Sequence, residues 1–255
     1  MKLKKLNKIK LHTMTLVYGL PGTGKTSYIN TLPGKTLIID ADRGLASVDS
    51  DTFNGDVAEC DTYNDVLEAL ELGKDYDSIA IDHMTKVQEL CYKEILQENK
   101  ANKMLINHYG EASAKLKSLV DSLVDYAYEG KNILVIAQEK TINIEEEVDE
   151  NIPAQITPNL MESVRSYLVA SSRIVGHMEK VTKSKIVKGK KESKEVFQLR
   201  LAGNPIYSLK VTRKPNLEVP DVIPNPKWDI VVGLTDGTTQ EKIAKKKQAQ
   251  AEKGE

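Results

Sequence analysis

One short stretch, "GLPGTGKTS" at residues 19–27, directly behind the apolar run "TLVY", constrains this chain more than any other feature. Gly19, Gly24, Lys25 and Thr26 satisfy G-x-x-x-x-G-K-[ST], the pattern of a loop that wraps nucleotide phosphates. Glycine lets the backbone turn tightly and brings N–H groups to an anion with no Cβ in the way. Leu20, Pro21, Gly22, Thr23 and Ser27 complete the candidate loop. Lys25 would reach the β- and γ-phosphates as a point charge, and the Thr26 hydroxyl would ligate Mg²⁺. Such a cradle exists only between a strand and a helix. "MTLVY" reads as a buried strand, and "KTSYINTL" as a short helix from about Thr26 to Leu32, stopped by "PGK". The chain is therefore committed to an α/β architecture.

A phosphate loop needs a metal-side acid and a group that orients the attacking water. In "DYDSIAIDHMT" four mostly apolar residues end at Asp82, as in a buried parallel strand that delivers a carboxylate to its C-terminal end. Asp82 is the candidate Mg²⁺-side acid; the plainer reading is an ordinary strand-ending aspartate. "KTLIIDADRG" ends with Asp40 and Asp42, which alternation puts on one side of an extended chain. One of the two would polarise the hydrolytic water, unless the pair is only a solvated turn. "KNILVIAQEK" ends at Gln138, an amide placed to sense a γ-phosphate or merely to cap a loop. Between the strands, Val87, Leu90, Cys91 and Ile95 recur at helical spacing, as do Leu116, Leu119, Val120, Leu123 and Ala127. Strands alternating with such helices predict a mainly parallel sheet with right-handed crossovers.

Composition narrows the class. With 40% apolar and 29% charged residues and a net charge of −1, the chain reads as globular and soluble. No apolar run approaches the roughly 20 residues that cross a bilayer. The basic opening "MKLKKLNKIKLH" is followed by no apolar signal core. Cys60 and Cys91 fall in different elements and fit reduced, buried thiols of a cytoplasmic protein.

After Gln138 the character changes. "EKTINIEEEVDENIPAQ" reads as a long acidic surface loop, and "TPNLMESVRSYLVASS" as a helix with Thr157 as N-cap and Pro158 at its first position. "RIVGHMEKV", "EVFQLRLAGN" and "PIYSLKVTR" read as antiparallel strands. The connection between the first two carries Lys180, Lys183, Lys185, Lys188, Lys190, Lys191 and Lys194 against one acid, Glu192. Such density suits sequence-independent phosphate contacts, or else a solvated hairpin tip. The expected organisation is a basic arm (1–13), an ATPase domain (14–235) and a polar basic tail (236–255). Within the domain the nucleotide-binding part spans about 14–140, and a helix and strands span about 157–235.

In order and spacing, "GLPGTGKTS", "LIIDADRG", "DSIAIDHMTKVQELC", "YGEASAKLKSLVDSLVDY" and "NILVIAQEK" resemble the RecA-like ATPases of phages. These are small recombination proteins of the single-strand-annealing type. The resemblance covers about residues 14–232. It implies a RecA-like P-loop NTPase core with C-terminal antiparallel strands, ATP and Mg²⁺ as cofactors, and single-stranded DNA as partner. It also implies a homo-oligomeric ring or filament with ATP at subunit interfaces, and a single-strand-binding protein as a further partner. Lys25, Thr26 and Asp82 match the family's phosphate-loop pair and metal-side acid. Asp42 stands where the family has a water-activating glutamate, and Gln138 matches the glutamine that links phosphate state to DNA binding. Lys210 and Arg213 resemble the basic pair that reaches a neighbouring subunit's phosphates.

Two features cut across that resemblance. Asp42 is one methylene shorter than glutamate, and Glu145, Glu146, Glu147, Asp149 and Glu150 lie where a DNA-binding loop is expected. Like charge repels phosphate there. Two rival readings stand beside the recombinase: a nucleotide-gated scaffold with little catalysis, and a nucleotide-kinase-like phosphotransferase. The second is short of lid arginines, since only Arg43, Arg165, Arg173, Arg200 and Arg213 occur.

Overall fold

The computed structural model describes residues 13–143, 154–187 and 190–240. In chain order the elements are β1 (Thr13–Gly19), α1 (Lys25–Ile29), β2 (Thr36–Asp40), β3 (Gly55–Glu59), α2 (Tyr63–Leu72) and β4 (Ser78–Asp82). Next come α3 (Met84–Glu98), α4 (Ile106–Glu129), β5 (Asn132–Asn143), β6 (Ala154–Pro158) and α5 (Glu162–Ser171). The last are β7 (Ile174–Val187), β8 (Lys190–Arg200), β9 (Lys210–Val211), β10 (Val222–Pro224) and α6 (Trp228–Gly233). The strand order is β10-β8-β7-β1-β5-β4-β2-β3, with β6 paired to β5 and β9 to β7. From β7 to β3 neighbours run parallel, while β8, β9 and β10 join antiparallel. The expected class, a mainly parallel α/β sheet flanked by helices with antiparallel strands after it, is the observed one.

Strand alternation builds two separate cores. Leu16, Tyr18, Leu37, Ile39, Ile79, Ile81, Ile133 and Val135 point to one face, where α2, α3, α4 and α5 pack on them. Val17, Ile38, Ala80, Leu134 and Ile136 point to the other, beneath α1 and α6. Buried on both faces, the central strands read as continuous apolar runs. Cys60 and Cys91 are buried free thiols, both within the first core. Burial pushes them up to about 11 and about 12 respectively. Among the described residues no helix is long and apolar enough to cross a membrane.

Several local expectations change. Thr157 and Pro158 cap no helix: they end β6, opposite Lys140 and Glu139 of β5, and α5 starts at Glu162. The same "TP" that starts a helix also closes a strand, and here the ladder with β5 decides. β5 itself runs five residues past Gln138, so the start of the expected loop is strand. The lysine-rich connection is likewise strand: β7 and β8 pair without interruption from His177–Arg200 out to Val187–Lys190. Of "PIYSLKVTR" only Lys210 and Val211 form a strand, while Tyr207 makes an isolated bridge to Ile156 of β6. Most of the basic arm, the five carboxylates at 145–150, Lys188 and the tail beyond residue 240 lie outside the described residues.

Candidate functional site

Parallel register brings the functional strand ends to one edge. Gly19 of β1 pairs with Gln138 of β5, and Asp40 of β2 with Asp82 of β4. The loop that follows Gly19 turns through left-handed backbone at Gly22 (φ 75°) and Gly24 (φ 88°), where a side chain would be strained. At Gly19 the constraint is space instead: a Cβ there would lie 2.3 Å from the backbone oxygen of Met178 on β7. The loop is thus clamped between β5 and β7. A cavity of about 340 Å³, lined by Gly22, Gly24, Lys25, Thr26, Ser27, Gly44, Ala46, Ser47 and Phe197, opens over it.

Lys25 lines this cavity, Asp82 lies behind Thr26, and both are almost buried, at 7% and 4% exposure. The Lys25 ammonium donates to the carbonyls of Gly19 (2.9 Å) and Leu20 (2.7 Å), which an incoming phosphate would replace. Burial lowers its pKa, against the attraction of Asp82 and Glu139. Burial raises the pKa of Asp82, opposed by the Thr26 hydrogen bond and the charge of Lys25. The Thr26 hydroxyl donates to Asp82 Oδ2 at 2.7 Å. Two hard oxygens side by side suit Mg²⁺, which takes one or two protein ligands and completes its shell with phosphates and water. Among the described residues there is no group of three or more acids, histidines or cysteines that would hold a metal alone.

Asp40 and Asp42 separate in role. Asp40 is buried, and its Oδ1 accepts the backbone N–H groups of Asp42 (3.0 Å) and Arg43 (2.8 Å), closing the turn after β2. Asp42 stays 44% exposed, with Oδ2 3.4 Å from His83 Nε2. At the same ring nitrogen, Gln138 Nε2 lies 3.1 Å from His83 Nε2. The Gln138 backbone N–H donates to the Thr85 hydroxyl (3.1 Å), and its carbonyl accepts from the Asn159 N–H (2.7 Å). His83 is a site residue that sequence reasoning passed over; its only signal is its place directly after Asp82.

A second pair missed from sequence spans the loop. His177 of β7 and Glu139 of β5 meet at 2.7 Å, both nearly buried, above the strand β1 that separates them. The His177 ring also stacks at 4.4 Å on Tyr207, and the Arg200 guanidinium lies over Tyr207 while bonding Glu179 at 2.8 Å. Glu139, His177, Glu179 and Tyr207 line a cavity of about 420 Å³ together with Leu20, Pro21, Gly22 and Thr23.

The remaining candidates sit further out. On the β7–β8 ribbon Lys180 is paired with Glu195 at 2.6 Å, whereas Lys183 lies directly across from Lys194 with no acidic partner among the described residues. Lys185, Lys190 and Lys191 continue along the same ribbon. Lys210 donates to the carbonyls of Val169 (3.0 Å) and Ala170 (2.6 Å), closing the end of α5, and burial lowers its pKa. Arg213 donates to the Leu217 carbonyl. Both cations of the expected neighbour-reaching pair are thus engaged within their own chain.

A family model described as an AAA domain matches residues 12–200, which is most of the chain and ends with β8. The sequence matches none of the curated proteins. With a phosphate loop between strand and helix, an acid hydrogen-bonded to its threonine and an amide on the neighbouring strand, the chain belongs to the AAA-domain family of P-loop NTPases.

Proposed function

We propose that the protein is an ATPase that binds single-stranded DNA when ATP is bound, and works as a homo-oligomer in strand annealing or recombination of phage DNA. The observation that carries this reading is the contact of Gly19 with Met178. The first residue of the phosphate loop is packed against the backbone of β7, and β7 runs on into the lysine-bearing ribbon. A loop that shifts on binding phosphate must move that strand. Lys183 facing Lys194 supports the reading further, since like charges directly opposite destabilise a sheet unless an anion lies between them.

In the proposed reaction Lys25 leaves the Gly19 and Leu20 carbonyls and donates to the β- and γ-phosphates. Bound Mg²⁺, held by Thr26 and Asp82, would neutralise charge that builds up on the phosphate oxygens. A water attacks the γ-phosphorus, the bond to the ADP oxygen breaks, and the water's proton passes to Asp42. Gln138 donates to the phosphoryl group and senses its departure.

The test is fluorescence anisotropy of a labelled single-stranded oligonucleotide, with and without ATP–Mg²⁺ at several salt concentrations, beside Lys25→Ala. Binding that needs ATP, weakens steeply with salt and is lost in the variant supports the reading. Nucleotide binding with no DNA binding under any condition rejects it in favour of a nucleotide-gated scaffold. Phosphate transfer to a nucleoside monophosphate would instead favour the kinase.

A further inference from the structure

We propose that His83 is a positioning residue for hydrolysis: its Nε2–H holds the Asp42 carboxylate and fixes which end of the Gln138 amide faces the nucleotide. This rests on the ATPase reading above. His83 caps α3, with Nδ1 accepting the Lys86 backbone N–H at 3.1 Å. A nitrogen that accepts a hydrogen bond carries no proton, so the neutral ring bears its proton on Nε2. That distal nitrogen has no part in the cap. It is buried, and two polar groups from other strands converge on it: Asp42 Oδ2 at 3.4 Å and the Gln138 amide at 3.1 Å.

The carboxylate can only accept, so at 3.4 Å it takes the longer arm of a hydrogen bond that Nε2–H shares between two acceptors. The amide must then also present its acceptor. The Gln138 oxygen belongs against His83, and its NH₂ group is turned outward, free to donate to a phosphoryl oxygen. Amide oxygen and nitrogen are assigned from such networks. Thr85, two residues on, fixes the same glutamine by its backbone N–H. One turn at the start of α3 therefore holds the candidate base and the candidate sensor together. Asp42 is half open to solvent on its other side, as a base that takes a proton from water must be.

A histidine that merely capped α3 would be replaceable by any good N-cap residue. Asparagine is one, and it keeps the acceptor while lacking the distal donor. Glutamine carries an NH₂ at the reach of Nε2. The experiment compares wild type, His83→Asn and His83→Gln by steady-state hydrolysis of ATP–Mg²⁺, with and without a single-stranded oligonucleotide. Affinity for a fluorescent ATP analogue and the melting temperature are measured alongside. The expected result for His83→Asn is a kcat lower by roughly 10- to 100-fold, as for a displaced catalytic group, with analogue affinity and melting temperature near wild type. His83→Gln is expected to recover much of the lost kcat. A wild-type kcat in His83→Asn, or kcat, affinity and melting temperature falling together, overturns the inference and leaves the ATPase reading intact. A wild-type chain that binds ATP–Mg²⁺ and never turns it over overturns both.

Discussion

Gly19→Ala is expected to cost the protein far more than Gly22→Ala, although both glycines belong to one loop. An alanine Cβ at Gly19 would lie 2.3 Å from the Met178 carbonyl oxygen, while carbon and oxygen normally approach to about 3.3 Å. The shortfall is about 1 Å, and the obstacle is backbone that cannot rotate away. Either β1 and β7 separate, stretching ladder hydrogen bonds from about 2.9 Å past bonding distance, or the loop detaches. Overpacking typically costs 1–3 kcal/mol, and a backbone obstacle argues for about 3. At about 2–4 °C per kcal/mol for a chain of this size, the melting temperature should fall by about 6–12 °C. At Gly22 a Cβ meets nothing within 4 Å, and the cost is the left-handed φ of 75° alone, about 1 kcal/mol or about 2–4 °C. The added methyl stands in the phosphate space, so Gly22→Ala should lose nucleotide affinity with little loss of stability. Differential scanning fluorimetry and titration with a fluorescent ATP analogue check both. A Gly19→Ala protein melting within about 2 °C of wild type would refute the packing of β7 on the loop, and with it the route from nucleotide to ribbon.

Asp82 sets a pH dependence. Burial raises its pKa in the folded state, so its ionised form costs stability at higher pH, and that cost disappears as pH falls through the folded value. Asp82→Asn should therefore melt higher than wild type at pH 8 without metal, the gap closing on acidification, and should lose protection by ATP–Mg²⁺; a lower melting point at pH 8 contradicts this. On the ribbon, Lys183→Ala and Lys194→Ala should each reduce the salt slope of single-strand binding by about 0.7, with stability changed by less than about 0.5 kcal/mol. An unchanged slope in both places the DNA elsewhere. Glu139→Gln weakens a charge-assisted hydrogen bond to His177 and should lower stability by about 2 kcal/mol. It should blunt the ATP dependence of DNA binding before ATP binding itself; full ATP dependence in the variant removes the pair from the coupling.

The parts of the site legible in sequence are those where one strand carries its own message. An apolar run that stops at a carboxylate or amide states both that the strand is buried and that its end is the useful one. Gly19, Asp40, Asp82 and Gln138 were readable for that reason, and the sheet lines them up as expected. The edge strand β3, "GDVAE", shows one half to solvent and has no apolar run to announce it. Helix α2, by contrast, carries its own sequence signal in Thr62 and Asp65, a reciprocal cap three residues apart.

Other residues gain meaning only from pairing between distant segments. Nothing in "IDHMT" says what His83 touches: the Asp40–Asp82 register puts the turn bearing Asp42 beside it, and β5, lying next to β4, brings Gln138 to the same ring nitrogen. The same holds for Glu139 and His177, 38 residues apart in sequence and separated by a whole strand in the sheet. A motif records what a segment does for itself, and a cross-strand pair records what the fold does with two segments. Hence the phosphate-holding half of the site is local in sequence and the half proposed to orient water and relay nucleotide state is not. A chain could keep every residue of "GLPGTGKTS" and still lose turnover through one substitution at residue 83, which no inspection of the phosphate loop would reveal.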